Sequence, residues 1–104
     1  MITKLDTENF FDAIDSADPI LVDFWATWCG PCMMQGEILE QIAQAHPEYR
    51  IGKVNVDENR ELAMRFGIEA IPTMIVFKNG QAVEQLVGLR QPSDIRAVLM
   101  KHED

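Results

Sequence analysis

The sequence has little cysteine, little positive charge and no long apolar run. Its 104 residues include two cysteines and two histidines, and nine basic residues stand against 17 acidic ones, for a net charge of −8. Nucleic acids and anionic membranes repel such a chain, so we expect neither as a partner. No segment approaches the roughly 20 apolar residues of a membrane span, and residues 1–6 lack the apolar core of a signal peptide. We therefore expect a cytoplasmic protein.

The two cysteines form a C-x-x-C pair in a chain expected to be a single domain over residues 1–104. A chain of this length buries a modest core without structural disulfides or metals. Because structural disulfides are rare in the cytoplasm, the pair indicates redox chemistry or metal binding. A zinc site needs about four ligands, and the remaining candidates, His46 and His102, are far from the cysteines in the sequence. A metal bridging two chains stays open.

Cys29 and Cys32 lie at a predicted junction between a strand and a helix. An apolar run over residues 19–26 leads into the pair, and helical periodicity over about residues 32–45 leads out of it. A helix N-terminus carries partial positive charge and unpaired N–H groups, which favour a thiolate. Cys29 is therefore the candidate nucleophile. Cys32 is one helical turn further on, where it can attack a mixed disulfide formed at Cys29.

The remaining pattern predicts an α/β fold with the element order βαβαβαββα. The early βαβ crossovers require parallel strands joined in a right-handed sense, whereas Asn79-Gly80 signals a type I′ hairpin. We expect a mixed central β-sheet flanked by helices on both faces. The predicted strands cover residues 2–5, 20–26, 49–56, 71–78 and 81–87, and the predicted helices cover residues 7–17, 32–45, 57–66 and a final segment from about residue 91.

The segment Trp28-Cys29-Gly30-Pro31-Cys32 resembles the active-site motif of the thioredoxin family. The resemblance covers essentially the whole chain and implies the thioredoxin fold. Its further positions are Asp23, six residues before Cys29, Lys53 in a downstream strand, Ile71-Pro72-Thr73 ahead of another strand, Lys78-Asn79-Gly80, and Gly88.

This resemblance implies a protein-disulfide reductase and electron carrier that binds no cofactor and uses a Cys29–Cys32 disulfide as its redox-active group. Reduced Cys29 would attack a substrate disulfide, and Cys32 would resolve the mixed disulfide. The implied partners are disulfide-containing protein substrates and a thioredoxin reductase that recharges the dithiol. We expect a monomer.

Asp23 is anomalous in an apolar strand, because a charged and unpaired carboxylate there costs several kcal/mol. Strand alternation puts it on the face of Leu21 and Trp25. The sequence alone leaves open an ordinary salt-bridged aspartate at a sheet edge. The resemblance instead implies a catalytic general base for Cys32, with a pKa raised by burial and lowered again by Lys53.

The resemblance also implies an apolar docking surface around Cys29. Pro72 matches the family's cis-proline, which would expose the backbone of Ile71 for pairing with an extended peptide. A trans proline that opens the strand is the alternative. Met74 could belong to this surface or to the core. The predicted substrate-binding residues are Trp28, Gly30, Pro31, Ile71, Pro72 and Gly88.

Two residues depart from the family pattern. Met33 replaces a lysine or arginine that is common after the second cysteine, so a cation that stabilises the Cys29 thiolate is missing. Glu37 replaces a proline that usually kinks the helix. Gly30-Pro31 favours a reductant over a thiol oxidase or isomerase of the same fold, since those usually have histidine between the cysteines. A binding module that uses the same face without chemistry is the other alternative.

Overall fold

Residues 1–103 fold into strands and helices in the predicted order βαβαβαββα. This is a computed structural model, and Asp104, the last residue of the predicted domain, lies outside the described residues. None of the helices within residues 1–103 combines the length and the hydropathy of a membrane span. The strands are β1 (Ile2–Lys4), β2 (Ile20–Trp25), β3 (Arg50–Asn55), β4 (Thr73–Lys78) and β5 (Gln81–Val87), and the helices are α1 (Phe10–Ile14), α2 (Gly30–Ala45), α3 (Arg60–Arg65) and α4 (Pro92–His102).

The five strands form one mixed sheet in the order β1-β3-β2-β4-β5. Strand β2 lies at its centre, parallel to β3 and antiparallel to β4, while β1 pairs parallel with β3 and β5 antiparallel with β4. Asn79 and Gly80 join β4 to β5 with positive φ values of 54° and 79°, as a type I′ turn requires. The predicted mixed sheet and hairpin are confirmed.

Helices cover both faces of the sheet, and β2 contributes to both cores. Leu21 packs in a core beneath α2 and α4, whereas Val22 and Phe24 point the other way and pack beneath α1 and α3. We call these the α2/α4 core and the α1/α3 core. The helices contribute Leu39, Ile42, Ile95 and Leu99 to the first, and Phe10, Ile14 and Leu62 to the second. Because side chains alternate between the two faces along a strand, Asp23 lies on the α2/α4 side, as Leu21 does.

Helix α1 is shorter than the residues 7–17 predicted from apolar periodicity. Asp6 and Asn9 hold the preceding segment in a turn: Asp6 Oδ1 accepts the Asn9 N–H at 3.0 Å, and Asn9 Oδ1 accepts the Asp6 N–H at 2.8 Å. These reciprocal bonds satisfy N–H groups ahead of the helix, as in a capping box, and the regular helix begins after them at Phe10. The helix ends at Ile14, whose carbonyl oxygen accepts an N–H from Gly80 of the hairpin turn at 2.9 Å.

Two further elements begin later than predicted. Helix α3 begins at Arg60 instead of residue 57, because Asn55 Oδ1 accepts the Asp57 N–H at 2.9 Å and holds the segment in a turn. Strand β4 begins at Thr73 instead of residue 71. Pro72 lacks the N–H that a ladder position requires, and pairing with β2 accordingly starts at Thr73.

Candidate active site

Cys29 caps helix α2, which begins at Gly30 and not at about residue 32 as the periodicity predicted. Its backbone is extended (φ −95°, ψ 111°), and its sulfur accepts the backbone N–H of Cys32 at 3.2 Å. Pro31 occupies the first turn, where no N–H is needed from it. The Cys29 sulfur thus lies at the positive end of the helix, an environment that stabilises a thiolate once the disulfide is opened.

Cys29 and Cys32 are joined by a disulfide, with their Cα atoms 5.2 Å apart. Cys32 is 2% exposed and Cys29 is 6% exposed, so Cys29 is the less buried residue of the pair. Ala26 completes this small buried cluster, and Trp25 and Ile71 pack against it. The less buried cysteine is therefore also the one that caps the helix.

Residues 71–72 and 88 lie beside the disulfide although they are distant in the sequence. The Sγ atom of Cys29 is 3.7 Å from the carbonyl oxygen of Ile71. The Ile71–Pro72 peptide bond is cis, as the resemblance implied, and the trans alternative is wrong. Gly88, at φ 90°, donates its N–H to the Pro72 carbonyl oxygen at 2.8 Å. This bond attaches the end of β5 to the residues that precede β4.

Trp28 is 70% exposed immediately before Cys29. Its indole Nε1–H donates to Asp57 Oδ2 at 2.8 Å, which holds the ring at the surface. A groove of about 310 Å³ runs beside it, with Val56, Met64, Ile68 and Ile71 among its lining residues. An exposed aromatic ring next to an apolar groove is typical of a docking surface.

Three other positions considered for docking differ in their exposure to solvent. Gly30 and Pro31 are exposed at the start of α2, next to the disulfide. Met74 is fully buried in the α2/α4 core. The docking alternative for Met74 is therefore wrong, because no part of its side chain is available to a partner.

Both departures from the family pattern lie on α2. Met33 is 42% exposed, and its backbone N–H donates to the Cys29 carbonyl oxygen at 3.3 Å. This places an apolar side chain one turn from the nucleophile candidate. Glu37 lies within α2, which is one continuous helix through Gly36 and beyond.

Asp23 is fully buried in the central strand. Within residues 1–103, neither of its carboxylate oxygens has a hydrogen-bond partner. Its register neighbour on β3 is Lys53, whose Nζ lies 4.3 Å from the centroid of the Trp25 ring. Burial raises the pKa of Asp23 from 3.8 to about 7, against the opposing effect of the Lys53 charge. The alternative of an aspartate at a sheet edge is wrong, and a carboxyl that titrates near neutral pH suits proton exchange.

The sequence patterns did not single out Gln35 or Asp57. Gln35 is fully buried and bonds to the backbone of Arg90. Its spacing offered a signal, since it lies three residues after Cys32 and four before Leu39 and so shares their buried stripe on α2. Asp57 gave a weaker signal, because its bond to the Trp28 ring depends on how two loops approach each other.

Within residues 1–103, no group of three or more His, Cys, Asp or Glu side chains is arranged to hold a metal ion. His46 lies at the far end of α2 from the cysteines. His102 lies near the end of α4, with its Nε2 3.3 Å from Glu84 Oε1. Neither histidine completes a zinc site with the cysteines of its own chain.

A C-x-x-C disulfide at a helix N-terminus, on a mixed sheet covered by helices on both faces, defines a thiol–disulfide oxidoreductase. A comparison with protein-family models agrees, since the model described as Thioredoxin matches residues 1–101. The chain belongs to the thioredoxin family. Its activity is that of a thiol–disulfide reductase, and its redox group is its own disulfide, with no bound cofactor.

Similar proteins support both the family and the fold. A thioredoxin from Alicyclobacillus acidocaldarius is 49% identical over 92 residues, which cover 88% of each chain. Among solved structures, a mutant thioredoxin from Halobacterium salinarum is 30% identical with a TM-score of 0.90, covering 99% of this chain and 91% of that one. A Malassezia sympodialis thioredoxin is 36% identical with a TM-score of 0.87, covering 97% and 92%. The predicted thioredoxin fold is confirmed.

Proposed function

We propose that this protein is a monomeric, cytoplasmic protein-disulfide reductase and electron carrier, with residues 1–104 acting as one domain. Cys29 is the nucleophile and Cys32 is the resolving thiol. The observation that carries these roles is the position of Cys29, which is the less buried of the two residues and whose sulfur accepts the Cys32 N–H at the helix N-terminus.

The first step joins Cys29 to the substrate. Its thiolate attacks one sulfur of a substrate disulfide, a new S–S bond forms, and the other substrate sulfur leaves as a thiolate. The exposed ring of Trp28 and the apolar groove beside it support docking of a protein chain around this sulfur. The substrate-binding residues that we propose are Trp28, Gly30, Pro31, Ile71, Pro72 and Gly88.

The second step releases the substrate. Cys32 gives up its proton to Asp23 through a water molecule and attacks the Cys29 sulfur of the mixed disulfide, so that the second substrate sulfur leaves as a thiolate. The substrate gains two electrons, and the Cys29–Cys32 disulfide forms again. The pKa of about 7 supports Asp23 as the proton acceptor, and Lys53 limits the rise of that pKa.

We propose a thioredoxin reductase as the protein that recharges the dithiol. A relative from Mycobacterium leprae, named a bifunctional thioredoxin reductase/thioredoxin, is 46% identical to this chain over 90 residues, which are 20% of that protein. A solved structure that is 34% identical comes from work on thiol resolution in a yeast mitochondrial 1-Cys peroxiredoxin via glutathione/thioredoxin systems. The first supports a thioredoxin reductase as a partner, and the second supports protein substrates.

Single substitutions of the two cysteines test the assigned roles. Mixed with insulin and quenched by alkylation, the reduced Cys32→Ser variant should accumulate a mixed disulfide at Cys29, visible by mass spectrometry. The Cys29→Ser variant should form none. A reversed pattern would exchange the two roles. The binding module would be favoured if both variants still bound insulin and the wild type showed no reductase turnover.

The reduction potential separates a reductant from an oxidase of the same fold. Equilibration of the Cys29–Cys32 pair against glutathione should give a value near the roughly −270 mV of thioredoxin. A value near the roughly −180 mV of protein disulfide isomerase would favour the oxidase or isomerase alternative.

A further inference from the structure

Gln35 is a polar side chain on the buried side of α2, fully shielded from solvent. It follows Cys32 by one helical turn, so the two side chains lie on the same side of the helix. A buried primary amide needs partners for both its N–H and its carbonyl group. The identity of these partners shows what the residue holds in place.

Both partners belong to the backbone of Arg90, 55 residues away in the sequence. Gln35 Nε2 donates to the Arg90 carbonyl oxygen at 3.1 Å, and the Arg90 N–H donates to Gln35 Oε1 at 2.7 Å. The side-chain amide thus pairs with this residue much as a neighbouring strand would. Arg90 lies in residues 88–91, which join β5 to α4 without helix or strand structure of their own. We call residues 88–91 the docking connection.

The docking connection is attached to the active site at two points. At its first residue, the Gly88 N–H donates to the Pro72 carbonyl oxygen at 2.8 Å. Two residues later, Gln35 holds the backbone of Arg90. Pro72 follows Ile71, whose carbonyl oxygen lies 3.7 Å from the Cys29 sulfur. The contacts therefore form a closed path from α2 through the connection and back to the disulfide.

We propose that Gln35 is a positioning residue that fixes the docking connection against α2, and with it the shape of the surface on which a protein substrate lies. This inference rests on the proposed docking role of Pro72 and Gly88. Gln35 itself touches no reacting atom. Without its amide the backbone of Arg90 loses both bonds to α2, and a less ordered connection raises the entropic cost of binding. A protein substrate lies on this surface, so its reaction rate depends on the order of the connection. A small disulfide needs only to reach Cys29.

A Gln35→Met variant tests this role, because it keeps the length of the side chain and removes both hydrogen bonds. Gln41→Met makes the same chemical change at an exposed position of the same helix and is the control. Each reduced protein is mixed with insulin or with hydroxyethyl disulfide, and its oxidation rate is followed by alkylation and mass spectrometry. We expect Gln35→Met to react about tenfold more slowly with insulin and within about twofold of the wild type with the small disulfide. Gln41→Met should match the wild type on both.

Equal insulin rates for Gln35→Met and the wild type would overturn the positioning role. An equal loss on both disulfides would overturn it too, because that result indicates disturbed dithiol chemistry. Hydrogen exchange gives a second readout: the Arg90 amide should exchange faster in the variant, while the Gly88 amide stays protected. A wild-type chain that reduces hydroxyethyl disulfide but not insulin would contradict the proposed function instead.

A second variant keeps the test decisive if Gln35→Met does not fold. Gln35→Glu retains both hydrogen bonds while its carboxyl group is protonated, and it loses the donor when the group ionises. Its insulin rate relative to the wild type should therefore fall as the pH rises, with no such trend for hydroxyethyl disulfide. A ratio for insulin that is independent of pH and equal to one would count against the proposal.

Discussion

The two faces of the sheet bury different chemistry. The α1/α3 core is rich in aromatic rings, with the Phe10 centroid 5.3 Å from that of Phe66 and 5.4 Å from that of Phe77. The polar side chains buried on this side, Asn59 and Thr73, are uncharged and hydrogen-bonded. The α2/α4 side buries two polar side chains, one on α2 itself and one on the central strand β2. One is Gln35, whose amide is paired, and the other is Asp23, whose carboxylate has no hydrogen-bond partner within residues 1–103.

This difference separates the source of stability from the source of reactivity. Apolar burial stabilises the fold by about 25 cal/mol per Å², and the α1/α3 core provides it without burying a charge. The pKa of Asp23 lies about three units above its ordinary value, which corresponds to a destabilisation of about 4 kcal/mol when the carboxyl is ionised. Among residues 1–103, the one buried carboxyl that carries this cost lies on the face that holds the cysteines.

The largest expected effect is on the aromatic face. Phe10→Ala should destabilise the oxidised protein by about 3–5 kcal/mol, because it removes a fully buried ring and leaves a cavity. Phe11→Ala, one residue on but 44% exposed, is the control and should cost much less. Urea unfolding gives the free energies, and glutathione equilibration should show the same reduction potential for Phe10→Ala and the wild type. A changed potential would show that the two faces are not independent.

Asp23→Asn should have the opposite effect and raise the free energy of unfolding. Between about pH 4 and pH 7 the folded chain holds a proton on Asp23 that the unfolded chain has released, since the folded pKa is about 7 and the ordinary value is 3.8. The wild type therefore loses stability as the pH rises through this window and loses no more above it. We expect Asp23→Asn to be more stable by about 2–4 kcal/mol at pH 8 and nearly equal to the wild type at pH 4. A gain that does not depend on pH would show that ionisation is not its cause.

The same variant should be slower in the second chemical step. Loss of a general base costs about a hundredfold or more in the step that it assists, so Asp23→Asn should release the mixed disulfide slowly and form it at the normal rate. Quenched reactions with insulin, resolved by mass spectrometry, separate the two steps. Unchanged release would remove Asp23 from the mechanism and leave it as a buried charge without a function in this step.

The smallest expected effect concerns Met33. A lysine there would lie one turn from Cys29 and stabilise its thiolate by about 0.7 kcal/mol. Because a more stable thiolate favours the reduced form, the reduction potential should rise by about 15 mV. Met100→Lys adds the same charge at an exposed position of α4 and should change neither quantity. Equal shifts in both variants would show that net charge, and not the position, is responsible.

Signals that act over a few residues were read correctly from the sequence. Asn79-Gly80 predicted the hairpin because both positions adopt positive φ easily. The apolar run before Cys29 predicted the central strand β2. Errors arose at the ends of elements, where the side chains of Asp6 and Asn55 accept backbone N–H groups and hold a turn ahead of the regular helix. Apolar periodicity does not report such local bonds.

The kind of chemistry follows from the sequence, because two thiols three positions apart at the start of a helix can form and exchange a disulfide in any surrounding. Tertiary structure decided the remaining properties. The high pKa of Asp23 comes from burial beneath other elements, and the bond between Gln35 and Arg90 joins segments 55 residues apart. Such properties depend on which groups surround an atom and how much water is excluded from it. A linear pattern carries no measure of either before the chain has folded.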